Sequence, residues 1–287
     1  MTLKSMLQER RAVVVPGAPN ALAARIIADL GFEAIYVTGA GVTNTSLGLP
    51  DLGFVDLTQM VQHTMAIRNV TDLPLLVDAE TGFGNAVNVA HTVRMLEQAG
   101  ANAIQIEDQA MPKRCGHFDG KALVSPQEMA AKVKAAVDAR RSEELLIVAR
   151  TDARAAEGFQ AALDRAALYV EAGADVIFLE APESEAEVRQ IVASSPAPQI
   201  INLVVGGRTP IFDQAELAEM GFAMALYANV ALQGAILGMQ NALAALASGG
   251  RMDEASALVA SFAERQRLVQ KSYYDEAERR YATEHLP

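Results

Sequence analysis

Eight short apolar runs, each followed by an amphipathic helical pattern, are the feature that most restricts what this chain can fold into. They are Ala12–Val15, Ala34–Thr38, Leu75–Asp78, Ala103–Glu107, Leu145–Arg150, Val176–Glu180, Gln199–Leu203 and Met224–Tyr227. Four are preceded by the same punctuation, a helical pattern ending in glycine and a tight step into the strand: Leu30-Gly31, Ala99-Gly100, Ala172-Gly173 and Met220-Gly221. Glycine accepts the left-handed backbone that closes a helix C-terminus. A βα unit repeated in this way predicts an α/β fold, a (β/α)8 TIM-type barrel of parallel strands ringed by helices. An open doubly wound sheet is the competing layout. It would carry a glycine-rich dinucleotide fingerprint after its first strand, and Val13-Val-Val-Pro-Gly-Ala-Pro-Asn20 does not match one.

A chain of 287 residues can bury one large core. We expect the barrel to occupy residues 1–250 and a C-terminal helical extension residues 251–287. After the eighth run come a helix at Ala231–Ala247, a break at Ser248-Gly-Gly250 and a charged helical tail from about Asp253 to Arg280. The tail is surplus to one barrel; it is either a solvated surface helix or a contact with a partner subunit. The net charge of −11 gives no basic field to attract a polyanion, so nucleic acid is not an expected partner. One cysteine excludes an intrachain disulfide framework and suits a reducing cytosol. Met1-Thr-Leu-Lys-Ser-Met6 lacks the apolar core of a signal peptide, and no apolar run reaches bilayer length, so the expected location is cytoplasmic with no membrane contact.

In a barrel the chemistry gathers at the carboxyl ends of the strands. Polar residues end the runs here with regularity: Tyr36-Val-Thr-Gly39, Asp78-Ala-Glu80, Glu107, Arg150-Thr-Asp152, Glu180, Asn202 and Tyr227. Period-two alternation puts Asp78 and Glu80 on one face of their strand, and likewise Gln105 with Glu107. Such a ring of carboxylates is costly to desolvate unless something neutralises it. Asp78, Glu80 and Glu107, with Asp51 from the Leu47–Gly53 loop, offer only hard oxygen ligands, which suit Mg2+ or Mn2+ held partly through water. For any one of them alone, a solvated strand end or a structural ion pair is the plainer explanation. Arg150 could pair with Glu180, clamp a substrate carboxylate, or both. The small residues Thr38-Gly-Ala-Gly41 could present backbone N–H groups to a carboxylate, or form a plain tight turn. His63 and His91 fall within helical patterns and read as ordinary surface or satisfied histidines.

The lone cysteine lies in Lys113-Arg-Cys-Gly-His117. Lys113, Arg114 and His117 beside Cys115 should favour thiolate and lower its pKa, unless this is a basic loop with an incidental thiol.

These motifs together resemble the isocitrate lyase and phosphoenolpyruvate mutase superfamily, over nearly the full length. Lys113–His117 is similar to the lyase signature, supported by Tyr36–Gly41, Ser46–Gly53, Val77–Gly84, Ile106–Gln109, Ala149–Ala153 and Asn202. The resemblance implies a magnesium-dependent carbon–carbon lyase that cleaves a 2-hydroxy dicarboxylate to a 2-oxo acid and a second acid. It implies carboxylate binding by Thr38, Gly39, Ala40, Gly116, Arg150 and Asn202, and metal at Asp51, Asp78, Glu80 and Glu107. Cys115 would be the general acid, with Lys113 and His117 beside it. Tyr36 would be the base, with Glu180 or a hydroxide on the metal as alternatives. It further implies a homotetramer, a dimer of helix-swapped dimers.

Two departures bear on substrate. The run Asn202-Leu-Val-Val-Gly-Gly-Arg-Thr-Pro210 looks more like that of dimethylmalate lyases and oxaloacetate hydrolases than of methylisocitrate lyases, with Val205 in place of a glutamate. An arginine that binds a third carboxylate in methylisocitrate lyases is Gln233 here. Both favour a substituted malate over a tricarboxylate. Glu80 replaces a more usual aspartate. An oxaloacetate hydrolase or decarboxylase, a phosphonate mutase, and a non-catalytic carboxylate-binding barrel are the competing expectations.

Overall fold

The computed structural model describes residues 2–114, 116 and 120–282. Its strands are β1 (Val13–Ala18), β2 (Ile35–Val37), β3 (Leu75–Asp78), β4 (Ala103–Glu107), β5 (Leu146–Thr151), β6 (Val176–Leu179), β7 (Gln199–Asn202) and β8 (Met224–Tyr227). All pair in parallel in chain order, and β8 returns to β1 with Val13 opposite Met224, so the sheet closes. The expected barrel is present, with strand ends moved by up to three residues. β1 starts after Ala12 because Ala12 is left-handed (φ 49). Gly31, Gly100, Gly173 and Gly221 adopt the left-handed backbone that their positions predict, with φ of 82, 97, 104 and 98.

Alternation along the strands gives the barrel an apolar interior of Val13, Val15, Leu76, Val148, Phe178, Ile200, Met224 and Leu226, among others. Leu3, Met6 and Leu7 of the helix Leu3–Glu9 join this cluster, which fills the amino end of the barrel. Outward strand residues such as Val37, Val77, Ile104 and Ile106 pack with helical Val93, Leu96, Met129 and Val133 in a second core. Toward the carboxyl ends the register turns polar: Asp78 sits opposite Gln105, and Glu107 opposite Arg150. One end is plugged and the other is charged, so the carboxyl mouth is where a site can form.

Two expectations fail beyond β8. The charged tail is not one helix: a 3-10 turn at Glu254–Ser256 is followed by helices Phe262–Leu268 and Lys271–Arg280. Left-handed Ala257 (φ 56) and Gln270 (φ 55) break the chain between them, and Ser261 caps the Glu264 N–H of the middle piece. The preceding helix, Val230–Gly249, is 20 residues long with a mean hydropathy of 1.4, enough by length and composition to cross a bilayer. Gln233, Gln240 and Asn241 interrupt its sequence without shortening the helix. It is largely exposed, with Leu237, Met239 and Leu243 all more than half accessible.

Candidate active site

At the carboxyl mouth Tyr36, Thr38, Ala40, Asp51, Asp78, Lys113, Gly116, Arg150, Glu180 and Asn202 line one cavity of about 50 Å3, together with Val204, Ala228 and Asn229. These are residues the sequence singled out from five strand ends and two loops. Cys115 and His117 lie outside the described residues. A larger groove of about 500 Å3 runs beside it past Phe54, Phe83 and Met111, but it gathers no comparable set of charges.

The Thr38–Gly41 stretch is not a plain turn. It begins the helix Gly39–Leu47, with the Thr38 hydroxyl accepting from Gly41 N–H at 3.1 Å as the N-cap. Backbone N–H groups at a helix start carry partial positive charge. One of them, Gly39 N–H, points at Asp78 Oδ2 at 3.4 Å.

Strand alternation does not deliver Glu80. β3 ends at Asp78, and Glu80 has a left-handed backbone (φ 53); its N–H donates to Asp78 Oδ1 at 3.0 Å and its carbonyl accepts from Glu107 N–H at 2.9 Å. That turn still brings Glu80 beside Asp78. A non-glycine residue in this region costs free energy and marks a constrained site. Lys113 Nζ ion-pairs with Asp51 and with Glu80 Oε2, the latter at 2.5 Å. Its charge therefore serves the acidic group, a different use from the thiol tuning that its sequence position suggests.

The acidic set is under-neutralised. Burial pushes Glu80 up to about 8 even though Lys113 opposes the shift. Burial also holds Glu107 well above the usual carboxylate range, against Arg150 and Lys113. Lys113 shifts upward too, because Glu80, Glu107, Asp51 and Asp78 outweigh its own burial. Lys113, with Arg150 Nε 3.3 Å from Glu107 Oε2, does not fully offset their desolvation. Glu107 Oε1 is buried with no hydrogen-bond partner among the described residues. An additional hard cation fits this donor set. No trio of described acidic or histidine side chains has ready-made metal spacing, as expected where water supplies much of the coordination.

Tyr36 donates to Gln105 Oε1 at 3.3 Å, and burial, then Asp78, push its phenol well above 10. Glu180, the other side-chain candidate, is buried on the cavity wall, where Asn202 Nδ2 approaches Oε1 at 3.5 Å and Arg150 NH1 approaches Oε2 at 3.4 Å. Arg150 also stacks over Phe178, 5.2 Å from the ring centre. Its Nε and NH2 donate to the two oxygens of Asp152 at 2.9 and 3.1 Å. This edge of the fork is taken, so a ligand carboxylate would meet the NH1 side and share it with Glu180.

Two residues at the mouth were not among the expected site residues. Gln105 bridges Tyr36 and Asp78, its Nε2 3.4 Å from Asp78 Oδ1; the signal was there, since it shares a face with Glu107. Asp152 ended a noted strand motif, but its bond to Lys121 at 2.9 Å joins residues 31 apart, a pairing no local pattern reveals. Gln233 is exposed and outside the cavity, donating to Val205 O at 3.4 Å.

A closed (β/α)8 barrel whose carboxyl mouth gathers oxygen donors, an arginine and a helix start defines an enzyme for small anionic substrates. The family model described as phosphoenolpyruvate phosphomutase matches residues 3–247. Over 281 residues the chain is 42% identical to 2,3-dimethylmalate lyase of Eubacterium barkeri, across 98% of this chain and 97% of that one. It is 48% identical over 227 residues to 2-methylisocitrate lyase of Aeropyrum pernix, across 79% and 73%. The solved structure of phosphonopyruvate hydrolase in complex with oxalate and Mg2+ matches with a TM-score of 0.87 at 30% identity, across 98% and 99%. The chain belongs to the phosphoenolpyruvate mutase and isocitrate lyase superfamily, on its carbon–carbon lyase side.

Proposed function

We propose that this enzyme cleaves a 2-hydroxy dicarboxylate of the substituted-malate kind, such as 2,3-dimethylmalate, into a 2-oxo acid and a second carboxylic acid. The observation that carries this is the meeting of Thr38 and Ala40 at the helix start, Arg150, Asp51 and Asp78 around one cavity, with Glu80 hydrogen-bonded to both Asp78 and Glu107. Asp51, Asp78, Glu80 and Glu107 would hold Mg2+ or Mn2+, in part through water. Such an ion supplies Lewis-acid stabilisation of negative charge on the substrate oxygens. The backbone of Thr38, Gly39 and Ala40 and the Arg150 guanidinium bind carboxylate. Tyr36 takes the hydroxyl proton, with Glu180 as the alternative base. The bond between C2 and C3 breaks with its electrons on the leaving acid, and the Cys115 thiol gives a proton to that carbon. Among the described residues, Val204 and Ala228 add apolar lining and Gln233 lies outside the cavity, which supports a substrate without a third carboxylate.

Release of 2-oxo acid should be followed with Mg2+ for 2,3-dimethylmalate, 2-methylisocitrate, isocitrate, citramalate and oxaloacetate. Turnover of at least one malate-core substrate is expected, with a loss of about a hundredfold or more in Cys115→Ser and binding retained. Turnover of oxaloacetate alone would favour the hydrolase alternative. The Lys113–His117 loop speaks against phosphonate mutase chemistry.

The exposed apolar face of Val230–Gly249 supports packing against partner subunits in a helix-swapped homotetramer over insertion in a membrane. The division at residue 250 follows the Gly250 break. The acidic charge and single cysteine support a cytoplasmic location without nucleic-acid partners.

A further inference from the structure

Asp152 is fully buried at the mouth and joins Arg150 to Lys121. Its carboxylate takes the Nε and NH2 of Arg150 at 2.9 and 3.1 Å, and Lys121 Nζ at 2.9 Å. Lys121 Nζ also donates to the Gly116 carbonyl. Gly116 in turn lies directly on the arginine, since a methyl group there would collide with Arg150 NH2 and Glu180 Cγ. Four residues thus close a loop of contacts, from Asp152 to Arg150, Gly116, Lys121 and back.

Asp152 is itself anchored from behind. Its N–H donates to Asp108 Oδ1 at 2.9 Å. Asp108 Oδ2 accepts from Thr151 at 2.7 Å, Tyr169 at 2.8 Å and Arg165 at 3.3 Å, and Arg165 is forked onto Glu157 at 2.9 and 2.7 Å. A carboxylate so held cannot follow a ligand, so it fixes what it touches. We propose that Asp152 is the positioning residue of this site: it aims the NH1 side of Arg150 at the substrate carboxylate and, through Lys121, sets how closely the Gly116 backbone approaches that arginine. This rests on the function proposed above for Arg150 as a carboxylate ligand.

Asp152→Asn and Lys121→Met test it, singly and combined, with Arg150→Lys as reference. In Asp152→Asn an amide N–H faces a guanidinium or ammonium N–H, so the fork should swing. On a substrate the parent cleaves, KM should rise at least about tenfold with kcat down about a hundredfold, and oxalate affinity measured by calorimetry with Mg2+ should fall in step with KM. Adding Lys121→Met to Asp152→Asn should cost less than about twofold more, because both act through one carboxylate. Lys121→Met alone guards against misfolding of the aspartate variant, and its loss should be recovered by Lys121→Arg. Crystallography of Asp152→Asn should show the guanidinium displaced. An unmoved Arg150, unchanged KM and oxalate affinity, or additive losses would overturn the proposal. A parent that neither cleaves these substrates nor binds oxalate would instead overturn the functional reading, while crystallography still decides the placement of Arg150.

Discussion

A methyl group at Gly39 would run into Glu80 Oε1 and come within 3.1 Å of Asp78 Oδ2. The start of that helix and the acidic pair therefore fit only without a side chain. Gly39→Ala is expected to push Glu80 off its place, with Mn2+ affinity and kcat/KM both down about tenfold or more, read by titration and kinetics. Lys132 supports the same turn from outside. Buried on the helix Pro126–Ala139, it donates to Thr81 O at 3.2 Å, and burial lowers its pKa. Lys132→Met leaves that carbonyl without its donor and should destabilise by roughly 1–3 kcal/mol in urea unfolding.

Among the elements, the helix Gly39–Leu47 contributes most directly to the site, and its cap makes it testable. Thr38→Val keeps the branched shape and removes the acceptor for Gly41 N–H, so unfolding should cost about 1 kcal/mol less while KM for a dicarboxylate rises. This helix also marks where the sequence stopped being readable. The strands were legible because a short apolar run after a helix-ending glycine has few other solutions. Gly-Ala-Gly-Val-Thr-Asn-Thr has only a weak amphipathic pattern, so it looked like a turn until tertiary contacts made it helical. The same limit hid how Glu80 reaches the site, by a left-handed step and not by strand alternation, and the bond between Asp152 and Lys121, which exists only when the barrel closes. Most residues lining the mouth were legible; Gln105, Asp152 and Lys121, and the division of contacts among them all, were not.

For the whole molecule, acid stability should carry the signature of the anchored mouth. Arg150 and Lys121 outweigh burial and hold Asp152 down to about 2, from a usual 3.8. A depressed carboxylate contributes stability that is complete above its unfolded value and is lost as the pH falls toward the folded one. On the order of 2 kcal/mol should therefore disappear between about pH 4 and pH 2, and Asp152→Asn should flatten that part of the curve in equilibrium denaturation. The outer helix Val230–Gly249 gives a second global test. Leu237→Arg with Leu243→Arg should yield a smaller species in sedimentation velocity, and an unchanged distribution would remove this face from any subunit contact.

The apolar stopper formed by Leu3, Met6 and Leu7 stands at the pole of the barrel opposite the chemistry. A purification handle or solid support joined ahead of this helix would leave the substrate's path unobstructed, so immobilised enzyme tethered there should keep the turnover of the free form.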